Sequence, residues 1–299
     1  MDTTPPNPRS ARERIELSGC NGLRLIAEAA GDPANPPVLL FHGGGQTRNA
    51  WGTTVEALAA TGFRAMTVDL RGHGESDWAP DSDYTIDAFA GDVIEVARTF
   101  SRPPAFVGAS LGGIASLIAA GEHVNEKLAC AVVLVDVAPR IEQAGRDRIG
   151  DFMSEHMMTG FASLDEVADA IQRYNPHRPR PTDLAGLRRN LRERDGRWFW
   201  HWDPAFIAGR QGSDDETRSS LVPESRLEAA ARALTSVPTQ LVRGRQSDLL
   251  SEEGAKAFLD LVPHAEFVDV AGAGHMVAGD RNDLFNDAVV GFLTRALPH

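Results

Sequence analysis

Between residues 22 and 137, short apolar runs alternate with longer stretches of helical period. "GLRLIAEAA" (22–30), "PPVLLFHGGG" (36–45), "FRAMTVDL" (63–70), "PAFVGA" (104–109) and "LACAVVLVDV" (128–137) read as strands. Residues 49–62, 85–100 and 111–121 read as the helices between them. Such alternation implies crossover connections and a mostly parallel sheet. "VVLV" is continuously apolar and β-branched, as a strand buried on both faces requires. From about residue 139 to 222 no strong strand is evident, and "GRDRIGDFMSEHMM" and "SLDEVADAIQRY" read as helices. The alternation then resumes, with strands at 238–245 and 265–272 and helices at 252–262 and 281–297. The expected organisation is an α/β core, residues 1–138 and 223–299, interrupted by a helical cap at 139–222.

The 299 residues suffice for a large buried core, and 42% hydrophobic with 24% charged residues is ordinary for a globular domain. A formal charge of −12 argues against a surface built to bind nucleic acid. Cys20 and Cys130 lie far apart and match no metal spacing, so two free thiols are expected. The stretch "MDTTPPNPRSARERIEL" lacks the apolar centre of a signal peptide, and no apolar run is long enough for a membrane span. A cytoplasmic protein acting on a small molecule is expected, with no nucleic-acid or membrane partner and a homodimer as the candidate assembly.

At "FVGASLGGIASL" (106–117) Ser110 stands between Gly108 and Gly112, where a strand meets a helix. A strand that becomes a helix within two residues turns sharply, and glycines on either side remove the colliding side chains. The same letters would also suit a packing turn that merely contains serine, but the strand–helix junction favours a nucleophile. A serine needs a base, and the base needs an orienting group. His275, in "VAGAGHMV" after the last strand, is the candidate base. Two aspartates compete to orient it. Asp248, in the polar loop "RGRQSDLL", is preferred; Asp136, in "VVLVDVAP", lies where the insertion begins and has the alternative role of capping that turn. The glycines of "FHGGG" (41–45) let backbone N–H groups approach a ligand, so Gly44 and Leu111 are the candidate oxyanion donors. His42 is expected to brace that loop.

Together, "LLFHGGGQTRNAW", "VDLRGHGESDW", "FVGASLGG", "RGRQSDLL" and "GAGHMV" resemble the α/β-hydrolase family in order and spacing. The resemblance covers roughly residues 20–137 and 236–297. It implies an eight-stranded, mostly parallel sheet with a helical cap, and carries Ser110 over as nucleophile, Asp248 as acid and His275 as base. It also makes "RGHGES" a structural loop in which His73 is not catalytic. With serine at position 110, epoxide opening and halide displacement are not expected. The chain is similar to the capped esterases, lactonases, carbon–carbon bond hydrolases and so-called cofactor-free peroxidases, and no metal or organic cofactor is implied.

In the insertion, Trp198, Trp200 and Trp202 fall within five residues and are candidates, with Met276, for the wall of a substrate pocket. Pinning the cap to the core is an equally good reading of the tryptophans. The expected reaction is hydrolysis of a carboxylic ester or lactone of an apolar, medium-sized substrate. The rivals are carbon–carbon cleavage of a dienoic ring-cleavage product by the same residues, and a non-catalytic ligand-binding protein on the same fold.

Overall fold

The computed structural model describes residues 12–176, 180–211, 222–275, 277 and 282–297. Eight strands form one sheet: β1 (Glu13–Ser18), β2 (Arg24–Ala30), β3 (Pro37–Phe41), β4 (Arg64–Val68), β5 (Ala105–Ala109), β6 (Ala131–Val135), β9 (Thr239–Gly244) and β10 (Glu266–Val270). Their order is β1-β2-β4-β3-β5-β6-β9-β10. From β4 to β10 every neighbouring pair is parallel, and β2 is antiparallel to both β1 and β4.

Strand alternation sorts the apolar residues onto two faces. Phe106, Val132 and Leu134 point into a core shared with helices α2 (Ile86–Arg98), α3 (Ser110–Glu122), α8 (Glu224–Ala233) and α9 (Glu252–Leu261). Ala105, Val107, Val133 and Val135 point into the opposite core, closed by α1 (Gly52–Ala60) and a C-terminal helix, α10 (Asn282–Ala296). Both faces of the central strands are dry, which is why their sequence is apolar at every position rather than at every second one.

Between β6 and α8 the chain leaves the sheet. It forms α4 (Gln143–Ser154), α5 (Leu164–Tyr174), α6 (Leu184–Leu187), a hairpin of β7 (Leu191–Arg194) and β8 (Arg197–Trp200), and α7 (Pro204–Gln211). The hairpin corrects the expectation of a purely helical insertion. Its turn is Asp195–Gly196, and both residues have positive φ, +53° and +71°. A two-residue Asp-Gly turn of this handedness matches the twist of its flanking strands. β1 is a second correction, since the sequence reading places its first strand at 22–30 and none before it. It is an edge strand whose Ile15 and Leu17 alone turn towards the core. A short strand with only two apolar positions gives a weak signal in the sequence.

Candidate active site

β5 ends at Ala109, and α3 begins at Ser110, with no residue between them. Ser110 takes φ +47°, a left-handed conformation that a non-glycine residue adopts only at a cost of about 1–3 kcal/mol. Its neighbours explain the glycines. A Cβ on Gly108 would lie 2.5 Å from the Gly112 carbonyl oxygen, and one on Gly112 would lie 2.4 Å from that of Phe41. The turn is therefore wedged against its own helix on one side and β3 on the other. The first turn of α3, with N–H groups that have no partner within the helix, lies at the same place, where it favours negative charge.

His275 and Ser110 line one cavity of about 650 Å³. The His275 Nδ1 hydrogen-bonds Asp136 Oδ2 at 2.7 Å. Asp136 follows β6 directly and has φ +52°, so the second strand-end residue at this edge is also left-handed. Its carboxylate is completely buried. Oδ1 accepts the Gly244 N–H at 2.9 Å, and Oδ2 accepts the Ser247 hydroxyl at 2.5 Å as well as the imidazole.

The expected acid, Asp248, is elsewhere. Its carboxylate accepts from Arg148 of α4 at 2.6 Å, and its side chain is 39% exposed. The physical reason lies in the loop after β9. A turn from Gly244 to Ser247 points the serine hydroxyl inward, where it also accepts the N–H groups of Leu249 and Leu250 at 3.1 and 3.2 Å. Asp248, the next residue, turns outward. Ser247 is the site residue that sequence reasoning missed; nothing in "RGRQSDLL" marks its hydroxyl as the inward group.

The loop after β3 supplies the other half of the site. Gly43 N–H donates to Gln46 Oε1 at 3.0 Å, Gly45 N–H to His73 Nε2 at 3.1 Å, and Gly112 N–H to the His42 carbonyl at 3.2 Å. These bonds leave the N–H groups of Gly44 and Leu111 as candidate donors to an anion. Gly44 faces Leu111 across the cavity wall, a Cβ on it lying 3.8 Å from Leu111 Cδ2.

Three buried histidines brace this loop and the adjoining "RGHGES" loop without lining the cavity. His42 Nε2 accepts the Leu70 N–H at 3.0 Å, so its Nδ1 carries the proton and donates to the Gly43 carbonyl at 2.8 Å. Burial pushes His42 down to about 4. His73 Nδ1 bonds the Arg71 carbonyl at 2.9 Å, and its ring lies 5.3 Å from that of His42. His201, from the insertion, accepts the Gly74 N–H on Nδ1 at 2.8 Å and is likewise held well below the ordinary imidazole range by burial. The "RGHGES" loop is fixed from behind by a buried bidentate pair, Arg71 with Asp92, both contacts 2.7 Å.

The far wall comes from the insertion, with Ile141, Phe152, Met153, Ile171, Leu187 and Trp200 among its apolar members. Of the three tryptophans only Trp200 lines the cavity. Trp202 is stacked behind it at 4.9 Å and is buried, while Trp198 lies under the Arg188 guanidinium. Met276 lies outside the described residues. Arg146 is a polar exception in this wall; it donates to Gln143, and its Nε has no hydrogen-bond partner among the described residues. Among the described residues no group of three or more His, Cys, Asp or Glu is arranged to hold a metal ion.

The model of the alpha/beta hydrolase family matches residues 38–288. The chain belongs to that family. Within it, this hydrolase-fold chain is 28% identical to a 3-hydroxybutyrate-oligomer hydrolase of Cupriavidus necator, over 84% of this chain and 87% of that one. It is 27% identical to an esterase of Mycobacterium tuberculosis, over 94% and 88%. The solved structure of an E-2-(acetamidomethylene)succinate hydrolase is similar with a TM-score of 0.79 at 25% identity, covering 95% of this chain and 99% of that one. The relatives of this alpha/beta hydrolase thus include hydrolases and esterases. No helix of the described residues is long and apolar enough to cross a membrane.

Proposed function

We propose that the protein is a serine hydrolase that cleaves a carboxylic ester or lactone through an acyl-enzyme. The observation that carries the reading is the buried Asp136–His275 hydrogen bond facing the cavity in which Ser110 sits on its strained turn. His275 removes the Ser110 proton as Oγ attacks the carbonyl carbon. Gly44 and Leu111 N–H groups receive the charge that develops on the carbonyl oxygen. The imidazolium then protonates the leaving alcohol, and water repeats the sequence in reverse. Asp136, with three donors fixing its carboxylate, holds the proton of His275 on Nδ1 so that Nε2 is the basic nitrogen.

The segment 139–222 acts in this reading as a cap over an apolar, medium-sized substrate. A cavity of about 650 Å³ with largely aliphatic and aromatic walls favours that class. The hydrolase and esterase names of the relatives support the reaction type. Carbon–carbon hydrolysis would use the same groups with a proton transferred to substrate first; decay of a coloured dienoic substrate separates it from ester cleavage.

Intact-mass measurement after incubation with a fluorophosphonate tests the proposal. One adduct on the wild type and none on Ser110→Ala or His275→Ala is expected, with the Ser110→Ala turnover of an ester falling on the order of 10⁶-fold. A folded wild type that takes no adduct would move the non-catalytic reading to the front.

A further inference from the structure

A second cavity, of about 680 Å³, adjoins the first. Six arginines line it, Arg14, Arg24, Arg48, Arg188, Arg189 and Arg192, and Glu75 is the acidic residue among its lining. In a chain of net charge −12 this is a local reversal of sign.

Three of the six are already answered by carboxylates. Arg48, at the floor, pairs with Asp69, Glu28 and Glu75; Arg14 pairs with Glu75 and Glu16; Arg24 pairs with Asp77 at 2.6 Å. The other three are not. Among the described residues no carboxylate lies within ion-pair distance of Arg188, Arg189 or Arg192. Two of these are positioned by aromatic faces instead. Arg188 lies over the Trp198 ring at 5.2 Å, and Arg192 over the Trp78 ring at 5.1 Å with a bond to the Gly74 carbonyl at 2.7 Å. An aromatic face orients a guanidinium without neutralising it and leaves most of its donors available. His201 also lines this cavity; it is buried, and its Nε2 has no hydrogen-bond partner among the described residues.

The two cavities share walls. Thr47 and Asn49 belong to both. Along the chain, Leu187 and Asn190 line the catalytic cavity, while Arg188 and Arg189 between them line the basic one. The Thr47 hydroxyl donates to Asn190 Oδ1 at 3.1 Å where the two cavities meet.

We propose that the basic cavity binds the phosphate-bearing end of the substrate whose acyl part occupies the catalytic cavity; the second half rests on the serine-hydrolase reading above. Phosphate fits better than a single carboxylate, because three guanidiniums with no carboxylate partner among the described residues line one cavity, and their forks match phosphate oxygens two at a time. A small molecule fits better than a nucleic acid, because the site is concave, has the volume of an ordinary ligand pocket, and sits on an otherwise acidic chain.

The test has two arms. Calorimetric titration with tripolyphosphate reads the cavity directly. Wild type is expected to bind it, Arg188→Ala/Arg189→Ala to bind it at least about tenfold more weakly, and Arg188→Lys/Arg189→Lys to fall between. The second arm compares two butyrate esters of one alkyl alcohol, ending in a phosphate or in a methyl group. Wild type is expected to favour the phosphate ester in kcat/KM by about tenfold or more, and the alanine variant to bring that ratio towards one. Equal tripolyphosphate affinity in wild type and the alanine variant, or a wild-type ester ratio near one, would overturn the proposal. If neither ester is cleaved and no fluorophosphonate adduct forms, the hydrolase reading fails instead, and the calorimetry alone decides whether the cavity takes polyphosphate.

Discussion

Asp136 and Asp248 differ in what surrounds an identical carboxylate. Asp136 has no exposure and three donors; Asp248 is a surface ion pair with Arg148. Replacing Asp136 by Asn keeps the shape but offers an amide where His275 needs an acceptor, and the imidazole then adopts the wrong tautomer. Turnover of an ester by Asp136→Asn is expected to drop on the order of 10⁴-fold, and that of Asp248→Asn to stay within about threefold of wild type. Steady-state kcat for both, measured side by side, decides which carboxylate serves the histidine. The nucleophile was legible at this scale because its backbone geometry demands glycine at two fixed positions. The acid was not. Two aspartates follow neighbouring strands, and the choice depends on a four-residue turn that aims Ser247 inward and Asp248 out. No residue type in that turn forces its direction.

At the scale of elements, β8 and the residues after it give the tryptophans different duties. Trp200 faces the cavity and touches Phe152, Phe161 and Trp202 through ring contacts of 4.9 to 5.3 Å; Trp198 does not reach the cavity. Trp200→Ala is expected to cost about 3–5 kcal/mol in stability and to shift acyl preference towards longer chains as the wall recedes. Trp198→Ala should leave the chain-length profile as it is. Denaturant midpoints with a series of acyl esters of rising length test both statements. Most sheet strands were readable as apolar runs because both faces are buried. The hairpin and β1 were not: β1 and β7 are short and mostly charged, and β8, though largely aromatic, has only four residues, too few for an alternation to show.

Across the whole molecule, the buried histidines link stability to acidity. His42 is held at about 4 by burial, against an ordinary value near 6.5, and His201 is shifted the same way. Between those values the unfolded chain binds protons that the folded chain refuses. The stabilisation is therefore complete above about pH 6.5 and is lost as pH falls towards 4. For His42 alone the loss is on the order of 3 kcal/mol, because keeping an imidazole neutral costs about 1.4 kcal/mol for every pH step below its ordinary value. Urea unfolding at a series of pH values should show the decline, and His42→Asn should flatten part of it. A wild type equally stable at pH 7 and pH 4.5 would contradict the assignment of a neutral His42.

The left-handed Ser110 has a consequence for anyone who selects improved forms of this protein from a library. Ser110→Gly releases about 1–3 kcal/mol of backbone strain, against roughly 0.5–1 kcal/mol of added freedom in the unfolded chain. A glycine variant should therefore melt no lower than its parent while losing the nucleophile. Heat challenge alone would enrich such chemically silent winners, so a useful screen must score turnover in every round.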